Sequence, residues 1–174
     1  TPTNDTWEWD GNNWTQVSSG GPARRLFHGM AYDSLRNVTV LFGGLDATLN
    51  RRGDTWEWNG STWIQQSAFG PSERLTFAMA FDAGAGRTTL FGGFDGNRSD
   101  ETWTWDGVTW AQRITIAPSA RDYTAMVYDS LRGRLVLFGG YDGSYSDETW
   151  QASDLLLSID QQPTSTSTCP GATA

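Results

Sequence analysis

The apolar residues of this chain fall in short runs separated by polar and glycine-rich stretches. Segments such as LFHGMAYD (Leu26–Asp33), VTVLFGG (Val38–Gly44) and the Trp-x-Trp of TWEW (Thr55–Trp58) suit extended strands, in which side chains two apart share a face. Turn-forming stretches punctuate them: SLRNV after Asp33, AGAGR after Asp82 and DGV after Trp105. No apolar period of 3.6 residues appears, so the pattern predicts an all-β chain with almost no helix.

The strands recur in register. Glycine pairs stand at Gly43-Gly44, Gly92-Gly93 and Gly139-Gly140, 49 and 47 residues apart. An acid-Thr-Trp triplet begins at Asp5, Asp54, Glu101 and Glu148, at spacings of 49, 47 and 47. The first three triplets continue as WEWDGNNW (Trp7, Trp9, Trp14), WEWNGSTW (Trp56, Trp58, Trp63) and WTWDGVTW (Trp103, Trp105, Trp110), and the fourth supplies Trp150. These are all ten tryptophans of the chain. A Pro-x-x-Arg precedes each glycine pair (Pro22 with Arg25, Pro71 with Arg74, Pro118 with Arg121), followed by MAYD, MAFD or MVYD. Each unit reads as four strands: the first ends in that Tyr/Phe-Asp, the second in the glycine pair, the third is Trp-x-Trp, and the fourth starts at the third tryptophan.

A period of this length with four strands per unit is propeller-like. The glycine pair, the later tryptophan and the period resemble the kelch repeat, across about residues 5–150. The resemblance implies β-propeller blades of four antiparallel strands. It also implies that the tryptophan rings pack between neighbouring sheets as structural core, where each buries a large area. The glycines would end strands where a side chain collides or where φ is positive. Galactose oxidase has a similar propeller, but the ligands its copper site needs are absent here.

The units divide as an N-terminal half blade (1–20), two full units (21–66 and 67–113), a degenerate third (114–160) and a Ser/Thr-rich tail (161–174). In the third, Ala152 stands where a second tryptophan belongs, and DLLLSID (Asp154–Asp160) is the candidate fourth strand. That is three blades and a half, fewer than the four to eight that close a propeller, so the array should be open within one chain. Open sheet edges invite pairing. Three outcomes follow: a piece of a longer propeller, a small closed oligomer, or a head-to-tail assembly that forms a ring or filament.

Charge and composition narrow the function. The net charge is −8 with twelve arginines and no lysine, which argues against nucleic acid as partner. No apolar run has the length of a membrane helix. His28 is the one histidine, and Phe77 and Thr124 occupy its position in the other units, so no catalytic triad, zinc or copper site is assigned. The acid pairs Asp100-Glu101 and Asp147-Glu148 sit at a repeated position with neighbouring side chains on opposite faces, which favours structure over acid–base catalysis. Metal binding by Asp46, Asp95 and Asp142 would need a fuller Ca²⁺-loop spacing than their loops offer. No cofactor is expected.

Arg25, Arg74 and Arg121 lie on loops that should share one face with the loops of Asp46, Asp95 and Asp142. Arginine suits bidentate carboxylate pairing, so these six residues read as inter-blade ion pairs or a polar binding face. Five sequons occur, at Asn4, Asn13, Asn37, Asn59 and Asn97, more than the one or two that chance alone would give, roughly. Turn chemistry favours the same residue types, but with the Thr/Ser tail and the missing lysine they point to an extracellular or cell-surface glycoprotein. Cys169, the single cysteine, is free or forms an intermolecular disulfide. The sequence therefore reads as a non-enzymatic, self-associating blade array, with itself and glycans as expected partners. The alternative is a segment of a larger propeller that binds carbohydrate or protein.

Overall fold

The computed structural model describes residues 3–66, 69–114 and 117–152. Fifteen strands and no helix occur among them. They run β1 (Thr6–Trp9), β2 (Trp14–Ser18), β3 (Arg25–Leu26), β4 (Gly29–Asp33), β5 (Val38–Phe42), β6 (Leu45–Asp46), β7 (Thr55–Trp58) and β8 (Trp63–Gln66). Then follow β9 (Ala78–Asp82), β10 (Arg87–Phe91), β11 (Thr102–Trp105), β12 (Trp110–Arg113), β13 (Ala125–Asp129), β14 (Arg134–Phe138) and β15 (Thr149–Ala152).

Two complete blades, β4-β5-β7-β8 and β9-β10-β11-β12, are antiparallel four-stranded meanders. A strand pair β1-β2 precedes them and a three-stranded sheet β13-β14-β15 follows. The short ribbon β3-β6 joins the loop before the first full blade to the loop after its glycine pair. DLLLSID and Cys169 lie outside the described residues.

Local chemistry sets the meander. At the turn between third and fourth strands, the Oδ1 of Asp10, Asn59 or Asp106 accepts backbone N–H bonds from the residues two and three positions on, at 2.7–3.0 Å. The next residue is Gly11, Gly60 or Gly107, each at positive φ. This Asx-Gly chemistry produces a tight hairpin that brings Trp9, Trp58 and Trp105 directly opposite Trp14, Trp63 and Trp110. Asp33, Asp82 and Asp129 cap the turn between first and second strands in the same manner.

The core lies between sheets. Ala31, Val40 and Phe42 of the first full blade meet Phe77, Met79, Phe81, Leu90, Trp105 and Trp110 of the second. Ala78 and Phe91 then meet Leu137, with Met126 and Trp150 packed alongside. First strands lie side by side, β9 between β4 and β13, as expected of the innermost strands of a propeller.

Blade stacking also decides which tryptophans are core. Trp58 and Trp105 are 5% and 1% exposed, whereas Trp9, at the same repeat position, is 51% exposed. Trp14 and Trp7 are also about half exposed or more. The expectation of a buried ring therefore fails for Trp7, Trp9 and Trp14. No preceding blade covers β1-β2 among the described residues, so these rings lack the apolar wall their counterparts have.

Candidate functional site

Each repeated arginine sits at the centre of a clamp. The Arg25 guanidinium donates to both carboxylate oxygens of Asp54 (2.7 and 2.9 Å), to Gly43 O (2.9 Å) and to Ala23 O (3.0 Å). Arg74 reaches Glu101 Oε2 (2.5 Å), Gly92 O (3.1 Å) and both oxygens of Ser72. Arg121 repeats this with Glu148 Oε2 (2.6 Å), Gly139 O (3.2 Å) and Ser119. The acid of the triplet also accepts the indole N–H two residues on: Trp56 to Asp54, Trp103 to Glu101 and Trp150 to Glu148. All three arginines are buried, and such charges persist inside a protein when paired in this way.

These clamps correct the expectation of inter-blade ion pairs. Arginine and carboxylate belong to one blade, and the partner is the triplet acid rather than Asp46, Asp95 or Asp142. Those three aspartates do share the loop face, but they shape their own loops. Asp46 accepts from Thr48 and Asn50 and pairs with Arg52. Asp95 and Asp142 accept from Ser72 Oγ (2.7 Å) and Ser119 Oγ (2.9 Å), the same hydroxyls that receive Arg74 and Arg121. Serine thus links each arginine to its loop aspartate. A regular Arg-to-acid spacing of 29, 27 and 27 residues was the available signal for the true pairing.

Between blades the link is backbone and indole. Gly44 N–H donates to Arg74 O (2.8 Å) and Gly93 N–H to Arg121 O (2.9 Å). A Cβ on Gly43 or Gly92 would come within 2.7 or 2.6 Å of those arginine carbonyls, so glycine is required for the next blade to approach. The indole N–H groups of Trp58 and Trp63 donate to Glu8 and Thr6 of the preceding sheet (2.9 and 2.8 Å). Trp105 and Trp110 donate to Glu57 and Thr55 (both 2.9 Å).

The same positions are bare at the two ends of the array. Phe42 and Phe91 are 0% and 3% exposed, but Phe138 is 56% exposed. Beside it an open groove of about 680 Å³ is lined by Arg98, Asp122, Tyr123, Phe138, Tyr141 and Tyr145. Arg98 pairs with Asp122 (2.9 Å) and lies 4.3 Å over the Tyr141 ring.

His28 is partly buried, and burial together with the nearby Arg25 charge lowers its pKa. The acid pairs separate: Glu101 and Glu148 enter clamps, while Asp100 is exposed. Among the described residues no cluster of three or more His, Cys, Asp or Glu side chains is arranged to hold a metal ion. Asn4, Asn13, Asn37, Asn59 and Asn97 are all exposed. Asn59 caps its own turn and Asn37 Oδ1 accepts from Tyr32 (3.1 Å).

Sheet order, uniform meanders and side-by-side first strands define an open array of β-propeller blades. The solved structure of YjhT, a kelch-type propeller protein, is similar to it with a TM-score of 0.69 at 13% identity. The match covers 85% of this chain and 49% of that one, so the chain spans about half of that structure's length. No protein-family model and no curated protein matches the sequence.

Proposed function

We propose that this chain is a binding and assembly module that joins copies of itself through its uncovered blade faces. Its loop face remains available to a ligand or protein partner. The observation that carries this reading is the Phe42–Phe91–Phe138 series, in which one repeat position is sealed twice and bare once. A bare aromatic face with sealed equivalents is a surface shaped for another blade. The titratable groups that repeat are committed to clamps and turn caps, which favours binding over catalysis. The exposed sequons fit an extracellular glycoprotein.

Light scattering on the purified chain tests the reading. Association predicts a particle at a multiple of 19.2 kDa, and a monomer at all concentrations overturns it. The coverage of half the YjhT structure favours a second reading, in which these blades belong to a longer propeller that binds carbohydrate or protein. In that case the single array stays monomeric, and glycan-array binding depends on exposed aromatics such as Tyr123 and Tyr145.

A further inference from the structure

Resting on the association reading above, we infer that two copies close one ring by strand exchange. The β1-β2 pair of each copy replaces β15 on the β14 edge of the other.

The incoming strand fits that edge better than the strand it displaces. Second and third strands keep a fixed register in both complete blades, with Phe42 opposite Thr55 and Phe91 opposite Thr102. β15 adopts it with Thr149 opposite Phe138. It then ends on Ala152, where β7 and β11 carry Trp58 and Trp105. β1 offers the full pattern, with Thr6 for Thr149, Trp7 for Trp150 and Trp9 for Ala152, and brings its own fourth strand, β2.

Asp5 supports the same placement. It accepts the Trp7 indole at 2.7 Å, as each triplet acid does, but no arginine reaches it among the described residues. Arg121 of the second copy would complete the clamp, and the Arg25–Asp54 pair shows that aspartate suits the site.

The exchange also covers both bare inner faces. Met30 and Tyr32 are exposed on β4, while their repeat equivalents Met79 and Phe81 are buried against the preceding blade. Val127 and Phe138 are exposed on the opposite face of the last sheet. With β1-β2 of one copy on β14 of the other, β13-β14 is carried against β4, so the two inner faces meet. Half a blade, two blades and half a blade make three per copy, and two copies make six. The match of this chain to 49% of the YjhT propeller is consistent with two such segments per ring.

A cysteine pair tests the exchange. Thr6→Cys and Phe138→Cys are combined in a Cys169→Ser background and oxidised. Residues directly opposite in a sheet have Cα atoms within disulfide range. Exchange predicts a covalent dimer, twice 19.2 kDa, that reverts on reduction. A second pair, Thr149→Cys with Phe138→Cys, should then cross-link poorly within one chain. A dimeric particle in which only the second pair links overturns the exchange and leaves the association reading intact. A monomer overturns both. Should the paired cysteines unfold the chain, Val127→Arg reads the same face: exchange predicts monomers with an unchanged β-sheet spectrum, and a persisting dimer overturns it.

Discussion

Trp105 and Trp9 occupy one repeat position and differ almost only in whether a blade precedes them. Trp105 is 1% exposed, donates to Glu57 Oε1 at 2.9 Å and stacks on Trp110 at 5.5 Å. Trp9 is 51% exposed and stacks on Trp14 at the same 5.5 Å, with no cross-blade bond among the described residues. Replacing each by alanine therefore separates inter-blade burial from the hairpin contact common to both. A tryptophan buries up to about 250 Å², so the half-ring difference is roughly 125 Å², or about 3 kcal/mol at 25 cal/mol per Å². Trp105→Ala should cost about 3–5 kcal/mol, as large core truncations do, and Trp9→Ala about 1–2. Urea unfolding followed by circular dichroism at low protein concentration measures both. Equal losses would refute the assignment of stability to blade–blade burial. At concentrations where copies associate, the Trp9→Ala cost should rise towards that of Trp105→Ala, because association covers the ring.

The clamps and glycine pairs supply further predictions. Arg74→Ala leaves Glu101 and Gly92 O without their buried donor and should lower stability by about 3–5 kcal/mol in the same urea assay. Arg74→Lys should recover only part of that loss, since ammonium cannot span the same set of acceptors. Gly43→Ala, at φ +65° and with a Cβ 2.7 Å from Arg74 O, should destabilise far more than Gly139→Ala, whose nearest neighbour is Ser146 O at 3.3 Å. Calorimetric Tm values rank the two, and equal values would refute the carbonyl approach as the reason for glycine. Hydrogen bonding from Arg121 and Trp150 lowers the Glu148 pKa; at Glu101 burial acts in the opposite sense, but the Arg74 and Trp103 bonds prevail. Carboxyls with depressed folded pKa values stabilise fully above their unfolded value near 4.5, and that contribution is lost as pH falls through the folded values. Stability should thus decline below about pH 4.5, and Glu148→Gln should flatten the decline; an unchanged acid limb would refute the clamp's role.

Much of the blade was legible in the chain. Alternation gave strands, Asx-Gly stretches such as Asn59-Gly60 gave hairpins, and recurrence of the triplets gave the number of sheets. These are local properties: a side chain's face follows from its position in a strand, and a turn from a few consecutive residues. The arginines and loop aspartates were correctly expected on one face, since a four-strand meander alternates its loops between two ends.

What the tertiary structure alone decided is which contacts close. Arg74 has several carboxylates within a similar sequence distance, and only the fold brings Glu101 to 2.5 Å while Ser72 stands between Arg74 and Asp95. Identical Trp-x-Trp motifs likewise give a buried Trp105 and an exposed Trp9. Sequence determines which face of a strand is apolar; burial requires a second surface, and that surface comes from another sheet.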